Sequence, residues 1–91
     1  MADVAVTLRI MPQGVETNLE QLKQALKELA EGFSVHVHKI EEKPIAFGLE
    51  ALEVVLLVDE SKGDTEELEK EITNLANVSS VDVIDVRRAV G

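Results

Sequence analysis

Few side chains in this chain are of a kind that does chemistry, and they fall in four places. The two histidines, His36 and His38, are two residues apart in a stretch that alternates apolar and polar residues. Both imidazoles would then face the same way and could offer two ligands to a metal. The chain has no cysteine and no third histidine, whereas a structural zinc draws four ligands from such side chains. The pair therefore reads as exposed strand positions, and no metal is expected. The acidic groups, Glu41 with Glu42 and the run from Glu66 to Glu71, are the second place. They could serve as acid and base pairs or as calcium ligands, but the glycine-punctuated spacing of a calcium loop is missing. They read as solvated faces.

The third place is the apolar hexapeptide Pro44-Ile45-Ala46-Phe47-Gly48-Leu49, flanked by charges and holding one of the chain's two phenylalanines. Pro44 restricts one φ angle and Gly48 permits a turn, so Phe47 falls on a connection rather than inside a helix or strand. Pattern leaves two readings open: Phe47 folds back to lid the core, or it stands out as a docking point. The fourth place is Arg87-Arg88, the only adjacent cations in an acidic chain. Composition alone would make them a frayed, charged terminus.

Catalytic templates are absent. There is no Gly-x-Ser-x-Gly, no glycine-rich phosphate cradle and no paired His-Glu helix motif. A formal charge of −9 argues against nucleic acid, whose affinity comes from Lys and Arg displacing counterions, and against an anionic membrane surface. The lack of Tyr and Trp also removes the aromatic platform of an RNA-reading strand. The opening "MADVAVTLRI" is unlike a signal peptide, and no apolar run reaches spanning length. A cytoplasmic protein without a cofactor is expected.

The elements that must position these residues are legible from periodicity. Val4, Val6, Leu8 and Ile10 alternate with polar or small residues as a one-faced strand, which Pro12 and Gly14 stop. Asn18 with Gln21 resembles a capping pair, and Leu19, Leu22, Leu26 and Leu29 predict an amphipathic helix to Gly32, a residue suited to the left-handed terminal position. "FSVHVHKIEE" predicts a second strand with Phe33, Val35 and Val37 on one side. "ALEVVLLV" predicts a third, and its nearly continuous aliphatic run marks it for the sheet's centre. A polar turn around Gly63 follows, then a helix capped by Asp64 with Glu67 and packed through Leu68, Ile72 and Leu75. "VSSVDVIDV" predicts the fourth strand.

The 91 residues thus form one domain, 1–91, with an aliphatic core. Its fold class is α+β: a ferredoxin-like βαββαβ sandwich, a four-stranded antiparallel sheet with two helices on one face. Right-handed crossovers make the first and third strands central neighbours. An acylphosphatase on this fold would need a cationic loop after its first strand, and "MPQGVETN" carries no cation.

With the elements in place, "HKIEEKPIAFGLEAL", "MADVAVTLRIMP" and "SSVDVIDVRRAV" together resemble the archaeal form of translation elongation factor 1-beta over essentially the whole chain. The resemblance implies the same fold, and it implies guanine-nucleotide exchange on the GTPase elongation factor 1-alpha, without bond-making chemistry. It implies that the aromatic matched by Phe47, within Pro44, Ile45 and Gly48, inserts into a pocket of the GTPase. It also implies that a C-terminal cation approaches the magnesium and phosphate site. By position that cation is Arg88, where the eukaryotic pattern has lysine; guanidinium is planar and bulkier than ammonium, and Arg87 stands as the alternative. The partner-binding residues expected are Pro44, Ile45, Phe47, Gly48, Arg87 and Arg88, on a protein that is monomeric when free. Fold alone allows a second function, a small regulatory domain that binds a metabolite or dimerises.

Overall fold

A computed structural model describes residues 3–59 and 65–89. The elements run β1 (Asp3–Pro12), α1 (Leu19–Gly32), β2 (His36–Pro44), β3 (Glu50–Asp59), α2 (Glu66–Thr73) and β4 (Val78–Ala89). They form one antiparallel sheet in the order β2-β3-β1-β4. This is the expected ferredoxin-like sandwich, with β1 and β3 at its centre.

Burial explains the order. Val6, Leu8 and Ile10 of β1 and Leu52, Val54, Leu56 and Val58 of β3 are buried on one face. Leu22 and Leu26 of α1 and Leu68 and Ile72 of α2 join the same cluster, so both helices cover that face. Apart from Pro12, the buried apolar residues described are all Ala, Val, Leu or Ile, and a fully buried Leu or Ile contributes about 1.5–3 kcal/mol. The opposite face carries a row of charges in register across all four strands: Glu41, Glu53, Arg9 and Asp82. Arg9 and Glu53 lie 3.7 Å apart there. None of the helices described is long and apolar enough to cross a membrane.

The first helix begins as expected, with the Gln21 backbone N–H donating to Asn18 Oδ1 at 3.1 Å. Its end differs. The helix runs through Gly32, whose φ is not positive, and Ser34 takes the left-handed position at φ 58°. Ser34 N–H donates to the Glu31 carbonyl and Val35 N–H to the Ala30 carbonyl, at 3.0 and 2.9 Å, the paired closure of a Schellman motif. Phe33 becomes the C-cap of the helix and is excluded from β2, contrary to expectation. In α2, Leu68 and Ile72 are buried and Leu75, just past its end, packs on the core. The capping residue is Thr65, whose hydroxyl donates to Glu69 at 2.6 Å; Gly63 and Asp64 lie outside the described residues.

Two strands depart from simple alternation. In β2 the register skips His38, between Val37 paired with Leu56 and Lys39 paired with Val55. This bulge returns Ile40 to the covered face beside Val37, and it takes His38 out of the ladder that would have set it beside His36. In β4 the register skips Ile84, between Asp85 opposite Thr7 and Val83 opposite Leu8. β4 also extends past Val86 to Ala89, so Arg87 and Arg88 are strand residues, paired with Ala5 and Val4, and not a frayed end.

Candidate functional site

The two candidate features sit at opposite ends of the sheet. Pro44 and Glu50 are the last pair of the β2–β3 ladder, and the chain crosses between them in a tight loop. Ile45 N–H donates to the Leu49 carbonyl at 2.8 Å, and Leu49 N–H to the Ala46 carbonyl at 3.2 Å. Closing so short a loop forces two consecutive residues into the left-handed region, Phe47 at φ 61° and Gly48 at φ 77°. Glycine adopts that conformation freely, whereas a bulky side chain there is a strained exception. The consequence is orientation: Phe47 points away from the protein and is 95 % exposed, with Ile45 partly exposed beside it. Of the two readings left open by pattern, the core lid is therefore excluded.

Behind the loop stands a polar brace. Lys23 of α1 donates to Glu42 of β2 at 2.5 Å and lies 3.5 Å from Glu20. Its hydrogen bond to Lys23, and then one with Glu50, hold the Glu42 carboxyl below the usual carboxylate range. Glu50 moves the other way: its hydrogen bond with Glu42, partial burial and the charge of Glu42 raise it. Nearby, Glu41 is held down by its hydrogen bond to Lys39, 3.0 Å away, with Lys43 adding to the effect.

Arg87 and Arg88 end the opposite edge. Val58, which shares Val4 as a neighbour with Arg88, lies eight positions along β3 from Glu50 beside the loop; at a strand rise of about 3.4 Å per residue that is roughly 27 Å. The two arginines also face apart. Arg88 lies opposite Val4, on the helix-covered side, while Arg87 lies opposite Ala5, on the charged side. Arg87 Nε donates to Asp85 at 2.9 Å, and both arginines are exposed.

The structure thus brings Pro44, Ile45, Phe47 and Gly48 together and keeps Arg87 and Arg88 away from them. Among the described residues, no group of three or more His, Asp or Glu could hold a metal, and both histidines are exposed. One exposed apolar residue at the loop end escaped sequence reasoning. Val15, 64 % exposed, stands on the β1–α1 connection against Gly48. Its signal was a lone aliphatic residue in the polar stretch "MPQGVETN".

Comparison with known proteins gives this geometry its context. Residues 5–89 match the model of the EF-1 guanine nucleotide exchange domain. Elongation factor 1-beta of Methanothermobacter thermautotrophicus is 43 % identical over 89 residues, covering 97 % of this chain and 98 % of that protein. Elongation factor 1-beta of Thermofilum pendens is 46 % identical over 93 residues and covers the whole of both. Among solved structures, the ACT domain from a GTP pyrophosphokinase of Chlorobium tepidum superposes with a TM-score of 0.62 at 14 % identity, over 90 % of this chain and 99 % of that one. The C-terminal domain of the MgtC protein from Mycobacterium tuberculosis gives 0.64 at 14 % identity, over 97 % and 88 %. These two likenesses are of fold alone.

Proposed function

Because the chain belongs to the EF-1 guanine nucleotide exchange family of translation elongation factors, we propose that it exchanges GDP for GTP on elongation factor 1-alpha by gripping that GTPase at two separated points. Phe47 is the anchor and enters an apolar pocket of the GTPase, with Pro44, Ile45 and Gly48 shaping the loop. Arg88 is the cation brought to the magnesium and phosphate site. The observation that carries this reading is Phe47 itself, 95 % exposed and held in a left-handed conformation. A large apolar side chain standing in water is unfavourable for the isolated protein and useful to one that buries it in a partner.

GDP is held largely by its phosphates and by the metal that bridges them, so a second cation at that site repels the metal and competes for its ligands. The nucleotide is weakened with it. If nucleotide and exchange factor each lower the other's affinity by a common factor, GDP leaves on docking and incoming GTP expels the protein. The GTP to GDP ratio sets the direction. No bond is made or broken by this chain, which acts as a cytoplasmic monomer between encounters. Its charge of −9 draws it to a basic partner surface.

The test is the rate at which labelled GDP leaves the cognate elongation factor 1-alpha. A saturable acceleration is expected on adding the protein; an unchanged rate would overturn the reading.

A further inference from the structure

Of the seven exposed large apolar side chains among the described residues, three lie at the loop end, where Val15 joins Ile45 and Phe47; Val83, Ile84 and Val86 lie on β4 and Phe33 at the end of α1. Val15 is held there by structure. Thr17 N–H donates to the Gly14 carbonyl at 3.1 Å, and Gly14 N–H reaches Thr17 Oγ1 at 3.4 Å, closing a turn with Val15 and Glu16 at its corner. Gln13 N–H donates to the Asn77 carbonyl at 2.9 Å and ties the start of this connection to the residue just before β4. Turn corners ordinarily take polar or glycine residues. Here the corner is aliphatic and stands in water, beside an exposed glutamate.

The turn also abuts the Phe47 loop. A β-carbon built on Gly48 would meet Val15 Cγ1 at 3.7 Å, ordinary van der Waals contact. A groove of mixed character between the two connections is lined by apolar Pro12, Val15 and Leu19, by Gly14 and Gly48, and by polar Thr17 and Glu50. The loop end is therefore one surface built by two connections, its exposed Val15, Ile45 and Phe47 set beside Glu16 and Glu50.

We propose that Val15 is a second anchor of the docking surface: the GTPase pocket that receives Phe47 continues into an apolar shelf that covers Val15 and carries basic side chains on its rim. The inference rests on the docking reading of Phe47 and extends it to a loop that reading does not use. The occupant is the GTPase, since the surface is continuous with the proposed anchor and its acidic margin calls for a basic counterpart.

The experiment measures the affinity of GDP-bound elongation factor 1-alpha for the intact protein and for Val15→Ser, Phe47→Ala and the double variant, with thermal unfolding of each. Val15→Ser is expected to weaken binding roughly three- to tenfold, the value of part of a valine side chain buried. Its melting temperature and its GDP-release rate at saturation should match the parent. The double variant should lose less than the product of the single losses, because adjacent residues on one surface couple. Val15→Lys should bind more weakly than Val15→Glu by a larger factor than Gln24→Lys against Gln24→Glu on the exposed face of α1, because the general attraction of an acidic chain to a basic partner acts on both pairs alike. Parent-like binding by Val15→Ser beside weak binding by Phe47→Ala would overturn the inference and leave the docking reading intact. Parent-like binding by Phe47→Ala would overturn both.

Discussion

Phe47 does two opposed things for this chain. In the free protein its left-handed backbone costs about 1–2 kcal/mol, and its ring, 95 % exposed, returns nothing. Strain kept at an exposed aromatic is what a binding site requires and a core does not. Phe47→Ala should therefore leave stability to chemical denaturation within about 0.5 kcal/mol of the parent while weakening affinity for the GTPase about 10- to 100-fold. Phe47→Gly should bind as weakly, yet unfold about 0.5–1 kcal/mol harder than Phe47→Ala, because only glycine relieves the positive φ. The two arginines separate by partner and by face. Arg87 is engaged by Asp85 on the charged side, whereas Arg88 faces the helix-covered side. Arg88→Ala should lower the saturated GDP-release rate about tenfold or more with little change in affinity, while Arg87→Ala stays close to the parent. Equal rates for Arg88→Ala and the parent would move the role to Arg87. Neither the strain nor the facing of the arginines could be read from residue types, since both depend on loop closure and on the register of β4 with β1.

At the scale of elements, local rules placed most boundaries and failed where one element yields to the next. The glycine expected at the left-handed end of α1 is Gly32, but Ser34 occupies that conformation and Gly32 is helical. Gly32→Ala has open space around the new β-carbon and should stabilise the protein by about 0.5–1 kcal/mol through helix propensity. Ser34→Gly should stabilise by up to about 1 kcal/mol by removing the left-handed penalty. Denaturant titration of each checks both. The brace behind the Phe47 loop adds a pH dependence. The pKa of Glu50 is raised in the folded state, so its contribution to stability is present below the ordinary carboxylate value and is lost as pH rises through the raised one. At neutral pH, ionised Glu50 beside Glu42 works against folding. Glu50→Gln should thus melt higher than the parent at pH 7, with the gain fading as pH falls toward 4. Glu42 has the opposite sign: its lowered pKa gives stability above the ordinary value that is lost as pH falls through the lowered one. Melting curves for Glu50→Gln across this range check the assignment. The bulges at His38 and Ile84 were half legible: the apolar residues Val37 and Ile40 are three apart, which simple alternation cannot place on one face.

In the whole molecule the two proposed contact points lie at opposite ends of the sheet. Phe47 and Arg88 are separated by roughly the length of β3, about 27 Å at a strand's rise, and the sheet between them is packed on both helices. Sites so far apart with no shared neighbours should act independently, so the free-energy losses of Phe47→Ala and Arg88→Ala in exchange efficiency should add to within about 0.5 kcal/mol. A strongly non-additive double variant would mean that the loop and the C-terminal strand do not engage separate parts of the GTPase. Charge, element order and the aliphatic core follow from residue types and periodicity alone, because burial of one face imposes a period of two on strands and of 3.6 on helices whatever lies around them. The quoted stretches added the family by resemblance. Tertiary structure decided the rest: that Phe47 faces solvent, that Val15 joins it, and that the arginines look to opposite sides. Each depends on loop closure or cross-strand register, which arise when residues distant in the chain meet, and no local pattern encodes them.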